Sequence, residues 1–229
     1  MTRCDSHYVT EALMREDITN IAVEDYLTAL MPARPATLAQ IEAEAALHGW
    51  PLIGPVQGQF LRTLAICNGA RDVLEIGTAT GYAAIWLLMA VAPRGGSLTA
   101  IERNPKRVAL ARQFVEQAGF AAHYRAVEGD YFTTLQDEHA QYDLIFLDML
   151  RHLSHDDEAV RALDLCVPLL RPGGLLVADN VLCNALVLED DAAPTVRGIQ
   201  RFNTAIMQHP QLESVILPLR DGVAICRQV

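Results

Sequence analysis

Tyr142 to Arg151, YDLIFLDMLR, is the stretch whose reading decides the fold. Its run Leu144-Ile145-Phe146-Leu147 is short, continuous and rich in large side chains, which suits a strand buried on both faces of a parallel sheet. Asp148 ends that run with a charge. In an open α/β sheet the carboxyl ends of the strands open into the ligand crevice, so a carboxylate there is either a cap or a working group.

Working outward, apolar strand patterns and helical periods alternate. Val73 to Ile76 and Ser97 to Ile101 predict strands, and Tyr82 to Val91 and Pro105 to Ala118 predict helices, with Gly and Pro at the joints. A strand over His123 to Val127, the Tyr142 to Leu147 strand, a helix near Asp156 to Leu169 and a strand over Gly174 to Ala178 continue the order. This order predicts an α/β fold, a Rossmann-like doubly wound sheet. Thr195 to Gln208 then reads as a helix, and Glu213 to Leu217 and Val223 to Cys226 flank the hairpin dipeptide Asp221-Gly222, so an antiparallel pair closes the sheet.

Upstream, Ile53 to Gln59 is a turn-rich lead into a helix over Phe60 to Gly69. Before Gly49 the composition is helical: Tyr8 to Met14, Ile18 to Leu30, and a run opened by Pro35 through Ile41 and Leu47. The expected organisation is one domain over residues 1–229, a helical extension over 1–50 followed by a Rossmann-like core over 51–229, with the extension making a dimer contact.

A net charge of −10 lacks the generic basic footprint of a nucleic-acid binder, and 51% hydrophobic residues over 229 positions are enough for one sizeable core. Small-molecule chemistry is favoured. Cys4, Cys67, Cys166, Cys183 and Cys226 are odd in number, scattered and not preceded by a secretory leader, so the expected compartment is a reducing cytoplasm. Apolar runs such as Ala83 to Ala92 are too short to span a bilayer, so no membrane role is expected.

After the first strand, Glu75-Ile76-Gly77-Thr78-Ala79-Thr80-Gly81-Tyr82 is a glycine-containing turn leading into a helix. Glycine lets the backbone pass close to a ligand, and the helix start offers free N–H groups, so a nucleotide-like cofactor is implied. The dinucleotide pattern GxGxxG fails, because Ala79 and Tyr82 stand where glycines are needed. Glu102, directly after the second strand, is where a carboxylate binds ribose hydroxyls in such folds, and Gly129-Asp130-Tyr131 follows the third strand.

The ordered set Pro55-x-x-Gly58-Gln59, Val73 to Thr78, Ile101-Glu102, Gly129-Asp130, Phe146-Leu147-Asp148, Arg171 to Gly174, Asp179-Asn180-Val181 and Asp221-Gly222 resembles the class I S-adenosylmethionine-dependent O-methyltransferases, and within them the metal-dependent caffeoyl-CoA and catechol type. The resemblance covers nearly everything after Ile53. It implies a seven-stranded sheet with its last strand antiparallel, methyl transfer from S-adenosylmethionine, and a homodimer. It further implies Ile53, Glu75, Gly77, Thr78, Tyr82 and Ala83 around the methionine portion of the cofactor, Glu102 on the ribose, Asp130 and Tyr131 near the adenine, and Asp148 between cofactor and acceptor.

Asp148 ends one strand and Asp179-Asn180 ends the strand expected beside it. Three oxygen ligands converging from adjacent strand ends suit Mg²⁺ or another hard divalent cation, and with no His or Cys among them zinc is disfavoured. The resemblance implies metal ligands at these three positions; the alternative is a helix cap at Asp148 and a turn at Asp179-Asn180. The sequence departs from the family at Arg151, where a lysine is usual. A guanidinium stays protonated, so Arg151 can stabilise an oxyanion but cannot act as a base, and His152 and His155 are the neighbouring titratable groups. Ala83 stands where serine is common.

The expected activity is therefore metal-dependent O-methylation of a small aromatic acceptor carrying two adjacent oxygens, with Asp148 and Arg151 at the reacting centre. Two alternatives keep the same fold: methylation of a transfer-RNA nucleoside hydroxyl, and a cofactor-binding protein with little transferase activity.

Overall fold

The computed structural model describes residues 18–229. The helix expected over Tyr8 to Met14, and Cys4, lie outside the described residues. Helix α1 runs Ile21–Ala29, capped by the Asn20 side chain, which accepts from the Ala22 N–H at 2.9 Å. It is shorter at both ends than the Ile18 to Leu30 expectation. α2 spans Ala36–His48 and stops at the left-handed Gly49. α3 covers Gly54–Cys67, about a turn and a half earlier than expected, because Pro55 falls in the first turn, where a missing N–H costs nothing.

The alternating region then follows: β1 Asp72–Ile76, α4 Tyr82–Val91, β2 Ser97–Glu102, α5 Pro105–Gln117, β3 Tyr124–Glu128, α6 Tyr131–Gln136, β4 Tyr142–Leu147, α7 Glu158–Cys166 and β5 Leu170–Asp179. α8 Pro194–Gln208, β6 Leu212–Leu217 and β7 Val223–Gln228 complete it. Residues Ala121–His123 form a short 3-10 turn, so β3 starts one residue later than expected. The short α6 is an addition to the sequence reading; its start is fixed by Asp130, whose Oδ1 accepts from the N–H groups of Phe132 and Thr133 at 3.1 and 3.0 Å.

The seven strands lie in the order β3-β2-β1-β4-β5-β7-β6. All the pairings from β3 across to β5 are parallel, whereas β7 pairs antiparallel with both β5 and β6. The expected sheet with its last strand antiparallel is what the chain forms. Chain order reverses between β1 and β4, which places the ligand crevice of a doubly wound sheet at their carboxyl ends.

Strand residues alternate between two cores. Leu74, Ile76, Ile145 and Leu147 pack on the side of α7 and α8, and Val73, Leu144, Phe146 and Val177 pack on the side of α2, α3 and α4. Each large apolar side chain removed from water contributes about 1.5–3 kcal/mol. On the second face α3 and α4 approach closely, and Gly58 permits this: a Cβ there would strike the indole of Trp86, which is 1% exposed. Among the described residues no helix is long and apolar enough to cross a membrane.

Candidate active site

Register determines what meets at the crevice. Ile76 pairs with Leu147 across β1 and β4, and Leu147 pairs with Ala178 across β4 and β5. One residue further on, Gly77, Asp148 and Asp179 form a row along the strand ends. β7 pairs Val223 with Asp179, so its preceding turn carries Asp221 alongside Asn180. These residues line one cavity of about 530 Å³, within the usual range for a small-molecule site.

Of the residues expected from sequence, Ile53, Gly77, Glu102, Tyr131, Asp148, Arg151, Asp179 and Asn180 line this cavity together. Glu75 and Thr78 stand behind the wall, buried at 0% and 3% exposure. Tyr82 points elsewhere: its hydroxyl donates to Glu42 Oε1 at 2.6 Å, and Glu42 in turn pairs with Arg34 at 3.1 Å. Ala83 is buried beside it, and Asp130 is an exposed helix cap; neither belongs to the cavity wall. His152 lines the cavity, whereas His155 does not and sits exposed at the start of α7, its N–H bonded to Glu158 at 2.9 Å.

Gly77 adopts φ 93°, and a Cβ there would collide with the carbonyl oxygen of Asp148. The β1 turn and the end of β4 therefore approach as closely as backbones allow. Glu102 is held by the Ala79 and Asn104 N–H groups at 3.1 and 2.9 Å, which leaves it at the cavity wall on a rigid mount. The Arg103 guanidinium lies 5.6 Å from the ring centre of Tyr131.

Carboxylates crowd the cavity floor, with Arg151 and Arg220 as the positive charges beside them. Burial and then the neighbouring Asp179 and Glu75 push Asp148 well above the usual carboxylate range, with Arg151 easing it in part. Burial, followed by Asp221, pushes Asp179 up to about 6 against the help of Gln57 and the Asn180 N–H. Burial also pushes Glu75 up to about 7. Among the described residues neither Glu75 oxygen reaches a hydrogen-bond partner, and the hydroxyls of Thr78 and Tyr124 beside it are likewise unpaired. Buried polar groups left in this state ordinarily await a ligand. His152 is held below the usual imidazole range by desolvation and by Arg107 and Arg103.

Backbone strain gathers at the same place. Among the described residues the non-glycine positive φ angles fall at Ala79, Asn180, Cys183, Asn184, Ala185 and Arg220. Three of these line the cavity, and the other three form the loop that follows Asn180. Such conformations cost roughly 1–3 kcal/mol each and collect at functional sites.

Pro51, Leu52, Gln57, Ala79, Arg107, Arg220 and Asp221 also line the cavity without having been singled out as site residues. The Pro55-x-x-Gly58-Gln59 signature already encloses Gln57, and Asp221 already stood in the ordered motifs as a hairpin residue. Arg220 carries no comparable signal. Its role follows from the fold: it pairs with Glu24 of α1, its N–H donates to the Thr19 hydroxyl at 2.9 Å, and its carbonyl accepts from the Ile18 N–H at 3.0 Å. The α1 region is thereby tied to the turn that carries Asp221.

Among the described residues no three His, Cys, Asp or Glu side chains converge as a metal centre. Asp148, Asp179 and Asn180 together offer two carboxylates and an amide oxygen, all of them hard donors.

The pattern of the O-methyltransferase family matches residues 33–229. A catechol O-methyltransferase from Niastella koreensis is 32% identical over 218 residues, covering 89% of this chain and 95% of that protein. A caffeoyl-CoA O-methyltransferase from Nicotiana tabacum is 27% identical over 217 residues, covering 88% of each. The crystal structure of an O-methyltransferase from Bacillus cereus in complex with SAH superposes with a TM-score of 0.80 at 27% identity, over 91% of this chain and 97% of that one. The match takes in the whole sheet and every residue that lines its cavity: the chain belongs to the O-methyltransferase family and is an S-adenosylmethionine-dependent transferase.

Proposed function

We propose that the protein transfers the cofactor methyl group to one of two adjacent oxygens on a small aromatic acceptor, with Mg²⁺ or another hard divalent cation held by Asp148, Asp179 and Asn180. The observation that carries this reading is the row of strand ends where Asp148 and Asp179 face one cavity, the charge of Asp179 adding to burial in raising the Asp148 pKa. A bound cation relieves that repulsion, and two carboxylates with an amide oxygen suit a cation that keeps positions open for acceptor oxygens. When bound, such an ion lowers the pKa of a coordinated hydroxyl. The named relatives act on catechol and caffeoyl groups, both of which carry adjacent ring oxygens.

The residues of the chain then divide the work. Glu75, with Thr78, provides the buried anionic end for the cofactor's ammonium group, Glu102 holds the ribose and Tyr131 packs near the adenine. Asp148 would stand between the cofactor turn and the acceptor, held at the cofactor turn by the close backbone contact with Gly77. Arg151 lines the same cavity and offers a fixed positive charge to the developing oxyanion.

A homodimer completes the proposal. Val23, Tyr26 and Leu27 of α1 and Leu30 just after it share one face of the helix and are 49%, 63%, 38% and 65% exposed among the described residues, an apolar surface suited to a second copy. Light scattering at micromolar concentration should give twice the chain mass.

The decisive assay follows labelled methyl from S-adenosylmethionine into a panel of catechols, untreated, with EDTA, and with Mg²⁺ restored. Transfer that is abolished by chelation and recovered with the ion supports the reading. Full activity in EDTA refutes the metal role, and labelling of transfer RNA in place of the diols refutes the acceptor class.

A further inference from the structure

The turn between β6 and β7 brings a further carboxylate to the cavity. Asp221 is 2% exposed. Its Oδ2 accepts from Asn180 Nδ2 at 3.2 Å and pairs with Arg151 Nη1 at 3.4 Å, and its Oδ1 accepts from the Asn184 N–H. The backbone closes the same contact, since the Leu182 N–H donates to the Asp221 carbonyl at 3.0 Å and the Val181 N–H to the Gly222 carbonyl at 3.2 Å.

We propose that Asp221 is a positioning residue that fixes which end of the Asn180 amide faces the cavity and seats Arg151 beside it. This rests on the cation reading above. An amide has an oxygen at one end and an NH₂ at the other, and only the oxygen can serve a hard cation. An ionised carboxylate accepts and never donates, so whatever faces Asp221 must be the NH₂. The oxygen of Asn180 is then turned away from Asp221, and Asn180 is a residue of the cavity wall. The neighbouring turn holds Asn180 in a left-handed backbone, φ 60°, which presents its amide to Asp221 and leaves the choice of end to that contact.

Asp221→Asn preserves shape and removes the acceptor-only character together with the charge that pairs with Arg151. Its new NH₂ would confront the NH₂ of Asn180, and the relaxed arrangement turns the Asn180 amide over. Partners that orient metal ligands are worth about 10–100-fold in metal affinity. Titration of the purified full chain with Mn²⁺, followed by electron paramagnetic resonance, should show at least a tenfold weaker Kd for D221N, while S-adenosylhomocysteine affinity by calorimetry stays within about twofold. The reciprocal pair N180D/D221N restores one donor facing one acceptor and returns an oxygen to the cavity. It should bind Mn²⁺ within about threefold of N180D alone, because a carboxylate at position 180 has no end to turn over, whereas a merely structural role for Asp221 weakens both backgrounds alike.

Wild-type affinity in D221N overturns the inference. If the single variant does not fold, the N180D background decides alone: equal Mn²⁺ affinity of N180D and N180D/D221N supports the orientation role, and a tenfold weaker pair overturns it. A wild-type protein that does not bind Mn²⁺ overturns the cation reading itself, which is a different result from a wild type that binds and a D221N that binds equally well.

Discussion

Replacing Glu75 with Gln should make the cofactor-free protein more stable at alkaline pH while removing its hold on the cofactor. Glu75 is 0% exposed and its carboxyl titrates at about 7 in the fold, against an ordinary value of 4.5. An acid whose pKa is raised by folding stabilises the fold only while protonated; that contribution is complete below 4.5 and is lost as pH rises through 7. From pH 5 to pH 8 the loss amounts to about 2–3 kcal/mol. The Gln variant has no charge to bury, so its stability should fall by about 2–3 kcal/mol less over that interval, even though its amide is no better paired than the carboxyl. In the variant Asp148 also loses the repulsion of Glu75, which flattens its pH dependence in the same direction, so the difference reports Glu75 together with its effect on Asp148. Urea unfolding of both proteins without cofactor at pH 5 and pH 8 measures it, with S-adenosylhomocysteine added in a second series. The ligand should stabilise the wild type at pH 8 and leave the variant nearly unchanged. Unfolding free energies that track each other across pH would refute the claim that a buried, unpaired Glu75 charge opposes folding.

Three further outcomes follow from the same geometry. Gly77→Ala must both leave φ 93° and clear the Asp148 carbonyl oxygen, so it should lose about 1–3 kcal/mol of stability by urea unfolding and weaken cofactor binding at least tenfold by calorimetry. Asp143 lies at the opposite end of the sheet, where the Arg71 and Asp72 N–H groups and Arg171 bind it at 2.8, 2.9 and 2.8 Å; D143N should cost about 1–3 kcal/mol with kcat unchanged. Arg151→Lys exchanges a permanent cation for one that can titrate, so the profile of kcat/KM against pH should gain an ionisation on its basic side that the wild type lacks.

Much of the fold was legible because its strands are short apolar runs separated by helices of clear period, and such an alternation admits few topologies. Tyr82 to Val91 begins and ends where its pattern does. Errors fell where a local signal has two readings: Pro55 reads as a turn residue and also as a first-turn helix residue, and the tertiary packing of Gly58 on Trp86 decides for the helix. Asp130 shows the same ambiguity in the site. Its sequence context fits both a cofactor contact and a helix cap, and the fold employs its Oδ1 as the cap of α6. Tyr82 was legible as a residue of the cofactor turn, but the direction of its hydroxyl depends on Glu42, forty positions away in an extension whose docking no local pattern records.

Asp221 and Arg151 carry this distinction furthest. A carboxylate before glycine in a hairpin is an ordinary turn residue, and nothing local marks it as part of a site. It becomes one because β7 runs against β5, so that the turn before β7 arrives at the carboxyl end of β5 and not at the far edge of the sheet. Arg151, which reads from sequence as a lost base, is in the structure half of an ion pair with that same carboxylate. A guanidinium suits this place better than an ammonium: it stays charged, and its planar fork matches the geometry of the Asp221 carboxylate. The proton of the acceptor then needs another group to leave through, and His152, whose pKa is lowered by burial and then by Arg107 and Arg103, is a titratable group of the cavity wall.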